Sequence, residues 1–260
     1  ADTEPPIEDV VADTTPPPPV IPPPTVEPLF SNCSEPGGSR NIYDLQDPQC
    51  PDHITTAVGS PGVAVALSGV VVSAVFGDTF FVQEEAGGPY SGIAIYSHGL
   101  NTSELNIGDR VDITGNYSEY FDNSQIHLET WTVLSAGTQP LAYAIEHPTH
   151  IATNGPIGEL FEGVLVRVSD VKTIHTKPDC PHDYGEFMVT GELRVDDMGY
   201  AWDARLGDTF TSITGPLHYT FGVFKLEPRQ ESDLVWTEKG GTGALSKCVA
   251  GDCHELPETV

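Results

Sequence analysis

The most compact set of chemistry-bearing residues in the chain is Cys248-Val-Ala-Gly-Asp-Cys253-His254. Its C-x4-C-H spacing is a widened form of the C-x2-C-H haem-attachment motif. In that motif two thiols form thioethers and the following imidazole ligates the iron. One reading of Cys248, Cys253 and His254 is therefore a single c-type haem; the other is a small disulfide loop with Gly251-Asp252 as its turn. Acidic groups offer a second chemistry. Asp196 and Asp197 with Asp203, and Glu119 with Asp122 and Glu129, could present oxygen ligands to Ca²⁺. Neither set follows the D-x-[DN]-x-[DN]-G order of a calcium loop, so a solvated acidic surface competes with it. His175, Cys180 and His182 share one Pro-containing loop, but spacing names no fourth ligand for zinc. Asn32-Cys-Ser, Asn101-Thr-Ser and Asn116-Tyr-Ser fit the N-glycan acceptor pattern. No Ser/His/Asp set, phosphate-binding loop or dinucleotide fingerprint is present, and the chain is expected not to be an enzyme.

Cysteine usage points to an oxidising compartment. The disulfide candidates are Cys33, Cys50, Cys248 and Cys253, and the odd count of five leaves one thiol over. A Cys33–Cys50 bridge would close a loop of 17 residues and stabilise it by about 3 kcal/mol in the chain-entropy treatment. Residue 1 is Ala, in an acidic and Pro-rich setting, as expected of a chain whose secretory signal has been removed. Secretion to the exterior or the cell surface is the expected localisation.

Charge and composition then exclude several classes. Eleven Lys and Arg face 38 Asp and Glu across 260 residues, a formal charge of −27. Such a surface repels phosphate, so sequence-independent nucleic-acid binding is disfavoured. No apolar run reaches the ~20 residues that span a bilayer. Gly (26) and Pro (23) fill nearly a fifth of the chain, too much for an all-helical protein.

The elements that must position any site are short strands. Val63–Val75 reads as one long strand bent at Ser68-Gly69. Phe80–Glu84 follows the hairpin signal Gly77-Asp78, and Gly92–Tyr96, Arg110–Thr114 and Gln125–Leu134 continue the series. Five such strands without a long helix predict a small barrel. A second copy follows. Ile107-Gly-Asp with Ile113-Thr-Gly115 matches Leu206-Gly-Asp with Ile213-Thr-Gly215, and Phe80-Phe-Val82 answers Phe187-Met-Val189. The expected fold is all-β, two tandem five-stranded OB-like barrels behind an extended Pro-rich N-terminal arm. The expected units are an arm at 1–28, a Cys-containing lead-in at 29–59, and barrels at 60–137 and 157–237. A connection at 138–156 joins the barrels, and 238–260 form a tail.

Gly69-Val-Val-Val-Ser-Ala-Val-Phe-Gly-Asp-Thr-Phe-Phe-Val-Gln83, Gly92-Ile-Ala-Ile-Tyr96 and Leu105–Gly115 resemble the OB-fold modules that precede the nuclease domain of bacterial extracellular nucleases. The run from Leu206 to Arg229 resembles the second repeat of the same family. The resemblance implies the fold over about 60–237. It implies no catalytic residues, because the family's chemistry belongs to a later domain of a few hundred residues. On the strand 2–3 face used for ligands by such barrels lie Phe80, Phe81, Tyr90 and Tyr96. Arg110 is the lone basic residue nearby, so packing competes with binding there.

Residues 1–28 hold ten Pro and six acidic residues without Lys, Arg or an aromatic group. Their apolar content is too low to offset ordering entropy, so alone they are expected to be extended, reaching roughly 80 Å at ~3.1 Å per residue. Ile7, Val10, Val11, Val20 and Ile21 punctuate the arm and could dock on a neighbour, the Pro-free Ile7–Thr15 stretch adding as a strand. The leading functional expectation is a non-catalytic extracellular assembly protein, a filament subunit joined head-to-tail to copies of itself. The alternative is an OB-fold accessory module that binds nucleic acid or glycan, and a third reading is a monohaem electron carrier. Expected cofactors are none, with Ca²⁺ or one c-type haem as the minor readings. Membrane insertion is not expected.

Overall fold

Gly-Asp pairs mark where the strands turn. The computed structural model of the chain describes residues 32–56 and 62–241, together with the backbone of a hairpin at 247–249 and 252–254. β1 (Val63–Phe76) turns at Gly77 (φ +63°) into β2 (Thr79–Gln83), and β3 (Gly92–Tyr96) follows. β4 (Arg110–Tyr120) and β5 (Asn123–Ser135) form the next hairpin. Pairing in the order β1-β2-β3-β5-β4 closes a barrel, with β3 and β5 parallel and the other neighbours antiparallel. The bend anticipated at Ser68-Gly69 is a bulge. Gly69 takes φ +69°, and Asp112 Oδ1 accepts from its N–H (3.0 Å) and from Ser68 Oγ (2.6 Å). Phe80, Val82, Ile93, Ile95, Val111, Ile113 and Ile126 fill the interior.

β6 (Tyr143–Ile145) lies in the stretch expected to be plain connection and pairs in parallel with β7 (Leu165–His175). β8 (Phe187–Val189), β9 (Leu193–Val195), β10 (Thr209–Thr220) and β11 (Val223–Leu226) then repeat the first pattern. β7 pairs with β8, β8 with β9, β9 in parallel with β11, β11 with β10, and β10 again with β7. This ring has the strand order of the first. β12 (Leu234–Glu238) extends it along β10 and ends the sheet. Register makes the repeat exact in number across one region: Ala94 pairs with Gln125 and Arg194 with Lys225, each one hundred residues on.

Two hairpins run longer than the sequence suggests. β4 continues to Tyr120 and β5 starts at Asn123, because Phe121 and Asp122 make the turn at φ +51° and +63°. Phe221 takes the same conformation (φ +53°) in the second repeat. An aromatic residue in the left-handed region is no turn signal by composition. The lead-in holds α1 (Ile42–Gln46), capped reciprocally by Asn41 and Asp44 and tied by the expected Cys33–Cys50 disulfide. β13 (Lys247–Val249) and β14 (Asp252–His254) form the terminal hairpin.

The two rings are fused along a seam. Gly163 lies so close to Gly92 that a Cβ on Gly92 would stand 2.2 Å from the Gly163 carbonyl oxygen. Tyr90 N donates to Leu160 O (2.6 Å), Leu165 N to Gln83 Oε1 (3.3 Å) and Ser124 N to Glu162 Oε1 (2.9 Å). Arg229, held by Asp233, reaches across to Ser73 O (3.1 Å). Ala74, Phe81 and Ala94, on the outer face of the first barrel, are buried here, with Phe81 set edge-on to His218 at 5.2 Å.

Candidate functional site

The second barrel leaves open the face that the first barrel buries. β9 and β11 run in parallel with Arg194 beside Lys225, and Glu186 enters just ahead of β8. These side chains form the floor of a cavity of about 460 Å³. Glu186 Oε2 accepts from Arg194 Nη1 (2.8 Å), and its other oxygen is held by Lys225 Nζ. Asp179 Oδ2 takes Arg194 Nη1 from the other side at 2.6 Å, and Asp196 Oδ2 takes Lys225 Nζ at 3.1 Å. Burial opposes the charge on Lys225, but the hydrogen bond to Glu186 and the nearby Asp196 outweigh it, and the ammonium's pKa is raised. Arg194 is raised in the same way, by Asp179 and Glu186 against burial. The two cations of the floor are therefore held in their charged forms and locked by hydrogen bonds.

Behind it sit two groups that burial keeps neutral. His218 is pulled down to about 4 by burial and then by Lys225. Glu227, wholly buried, is pushed well above the carboxylate range by burial and then by Asp196. His218 Nδ1 and Glu227 Oε1 lie 3.3 Å apart and share a hydrogen bond.

The rim is aromatic. Phe221 is 99% exposed at its hairpin tip, with Lys225 Nζ 5.7 Å from the ring centroid. Tyr184 is 63% exposed and stacks on His182 at 5.8 Å. Large apolar rings held in water above a polar cavity mark a surface that contacts something. A larger open depression of about 580 Å³ runs along β6 and β7. The carboxylates of Glu146 and Asp170 that border it are exposed, and no buried charge is directed at it.

The sequence-predicted residues fall as follows. Of the calcium set, Asp196 is tied to Lys225, burial and Asp196 raise Asp197, and Asp203 stands apart, exposed beside Arg205. In the second acidic set, Glu119 accepts from the Tyr117 and Ser124 hydroxyls, and Glu129 accepts from Asn116 Nδ2 (2.8 Å). The structure converges Glu119 and Asp122 instead with Glu159 and the buried Glu162, both of whose pKa values are raised, first by burial. Phe80 is core, Phe81 and Tyr90 belong to the seam, Tyr96 is on the surface, and Arg110 pairs with Glu85. Cys180 is disulfide-bonded, which removes it as a thiolate ligand. Cys248 and Cys253 are backbone partners across the terminal hairpin. The side chains of Cys248, Cys253 and His254, and the arm residues Ile7, Val10, Val11, Val20 and Ile21, lie outside the described residues.

The cavity residues Glu186, Arg194 and Lys225 were not singled out from sequence. Arg194 and Lys225 meet through the parallel β9–β11 pairing and Glu186 joins them beside β8, and the repeat itself was the available signal, since it sets Arg194 and Lys225 where the first copy has Ala94 and Gln125. Comparison with family models, with curated proteins and with solved structures finds no match.

Proposed function

We propose that the chain is a secreted, non-catalytic binding module of two OB-type barrels, and that the second barrel holds a glycan. The observation that carries this reading is the cavity floored by Glu186, Arg194, Asp196 and Lys225 and rimmed by Tyr184 and Phe221. Its volume lies in the usual range of small-ligand sites. Hydroxyl groups need fixed donors and acceptors, which the ion-paired floor supplies without rearrangement, while the apolar faces of sugar rings suit exposed aromatic planes. OB barrels use this face for oligosaccharides as well as oligonucleotides. Charge decides between them: Asp179, Glu186 and Asp196 outnumber Arg194 and Lys225 at the floor, and the whole chain carries −27. The Cys33–Cys50 bridge suits an oxidising compartment, and among the described residues no helix is long and apolar enough to cross a membrane.

Affinity electrophoresis against soluble polysaccharides, with a glycan array to find the sugar, tests the reading. Retardation should be lost in Phe221→Ala and Tyr184→Ala, both of which should melt like the wild type. Retention by single-stranded DNA and by no glycan would overturn it.

A second reading, head-to-tail assembly, is favoured by the open edge at β12, where Val235 and Trp236 stand half exposed. The Ile7–Thr15 segment of another copy could add there as a strand. A heterologous contact of this kind propagates unless it closes into a ring. Deleting residues 1–28 should leave a folded monomer, and unchanged assembly of the truncated protein would eliminate this reading.

A further inference from the structure

On the opposite module, at the first barrel's surface, two histidines face one another. Tyr96 and His127 are register partners across the parallel β3–β5 pair. After Tyr96 the chain turns sharply: Leu100 N donates to Ser97 O (3.0 Å), with His98 at φ +52° and Gly99 at φ +78°. Ser97 is fully buried and its N–H is fixed by Asp78 O (2.8 Å), so the turn that presents His98 is anchored to the barrel. That turn folds the His98 ring back over β5. The two imidazoles stack at 4.6 Å and 24°, with Nε2 of His98 in direct contact with Nδ1 of His127. The Tyr96 ring meets His98 edge-on at 4.5 Å and limits its rotation.

We propose that His98 and His127 form a binding site for a late first-row divalent ion, with Cu²⁺ held more tightly than Ni²⁺ or Zn²⁺. Imidazole nitrogen is a preferred donor for these ions, and affinity at a given nitrogen site peaks at copper. Both rings must be neutral to ligate. Gln125 Nε2 lies 3.1 Å from His127 Nε2, on the side away from His98. With that amide and the neighbouring Asn123 amide, whose Nδ2 donates to Gln125 Oε1 (3.3 Å), both turned over, the Gln125 oxygen accepts from Nε2–H and the Nδ1 lone pair is left for the metal. Neutral His127 with its proton on Nε2 binds the metal through Nδ1 with no net proton released. A carboxamide in that place holds the ring orientation, as outer partners of metal-binding histidines do.

The position also separates this pair from the sugar cavity. One hundred residues on from Tyr96, His98 and His127 stand Asp196, Met198 and Glu227, so the second repeat lacks the histidine pair. His98 is exposed and His127 half-buried, leaving the remaining coordination positions to water or to a donor from another molecule.

The full chain should be titrated with CuCl₂ at pH 7.5, reading affinity by calorimetry and ligand type by electron paramagnetic resonance. One saturable site with a two-nitrogen signature is expected. His98→Ala should weaken it about tenfold or more while leaving the melting temperature unchanged, and His127→Gln should do the same with a partly retained fold. His147→Ala, which alters a separate histidine pair with His150, should leave it intact. Binding with an all-oxygen signature, unchanged affinity in both variants, or no saturable binding at micromolar copper would overturn the proposal.

Discussion

Replacing Gly92 by Ala tests whether the two barrels are one rigid body. The added Cβ would stand 2.2 Å from the Gly163 oxygen, 2.4 Å from its carbonyl carbon and 2.5 Å from Val164 N. All three atoms are backbone, so no side chain can swing aside. The two chains must part by about 1.2 Å to reach the 3.4 Å of ordinary contact. Overpacking of this kind costs about 1–3 kcal/mol. The Tyr90–Leu160 and Leu165–Gln83 hydrogen bonds flank the contact, and losing each removes about 1 kcal/mol more. The expected destabilisation is about 3–5 kcal/mol, a fall of about 6–20 °C in melting temperature or a split into two transitions. Scanning calorimetry reads both outcomes. Gly241→Ala, where a Cβ meets nothing within 4 Å, serves as the control. A Gly92→Ala protein melting in one transition within about 2 °C of the wild type would refute the fused seam.

Other predictions follow from buried groups. Because the folded-state pKa of Glu162 is raised, its contribution to stability is fully present at low pH and is lost as pH rises through that value. Glu162→Gln keeps an acceptor for Ser124 N, so it should be more stable than the wild type at pH 8 and no more stable at pH 4, by urea unfolding. His218 should stay neutral down to pH 5 by NMR. The drop from 6.5 to about 4 corresponds to about 3 kcal/mol of stability present above pH 6.5 and lost as pH falls toward 4. A ring titrating near 6.5 would contradict its burial. Lys225→Met leaves Asp196 without its cation and Glu186 with Arg194 alone, and should destabilise the fold by about 3–5 kcal/mol in urea titration. Reducing Cys33–Cys50 should remove about 3 kcal/mol, seen as a lower melting temperature in reductant.

What could be read from the chain beforehand was what is local. Gly77-Asp78 and the β-branched runs around it specify strands and turns within a few residues, and the long strands of the first barrel were legible for that reason. α1 is five residues long, too short for a helical period, and Asn41 with Asp44 was its sole signal. The hairpin tips at Phe121 and Phe221 were missed because residue type gives no hint of a left-handed turn there. Sites fared worse than strands. Glu186 and Lys225 lie 39 positions apart and His98 and His127 lie 29 apart, and each pair is brought together by a sheet that includes a parallel strand pairing, which periodicity does not reveal. The acidic sets drawn from proximity in sequence were pulled apart by the fold, since Asp196 faces a lysine and Asp203 faces water.

The seam also limits how this architecture can grow. A joint between like modules, donor surface to acceptor surface, could in principle be repeated without end, as in a solenoid. Here the acceptor surface of the first barrel is Ala74, Phe81 and Ala94, flat and apolar. In the second barrel the residues matching Phe81 and Ala94 are Met188 and Arg194, and Arg194 is locked into the ionised floor. Covering that floor with another barrel would strip water from Asp179, Glu186, Asp196, Arg194 and Lys225 together. The second copy thus differs from the first at the very surface that makes the joint: where one presents an apolar sheet to a neighbour, the other presents bound charge and a hollow.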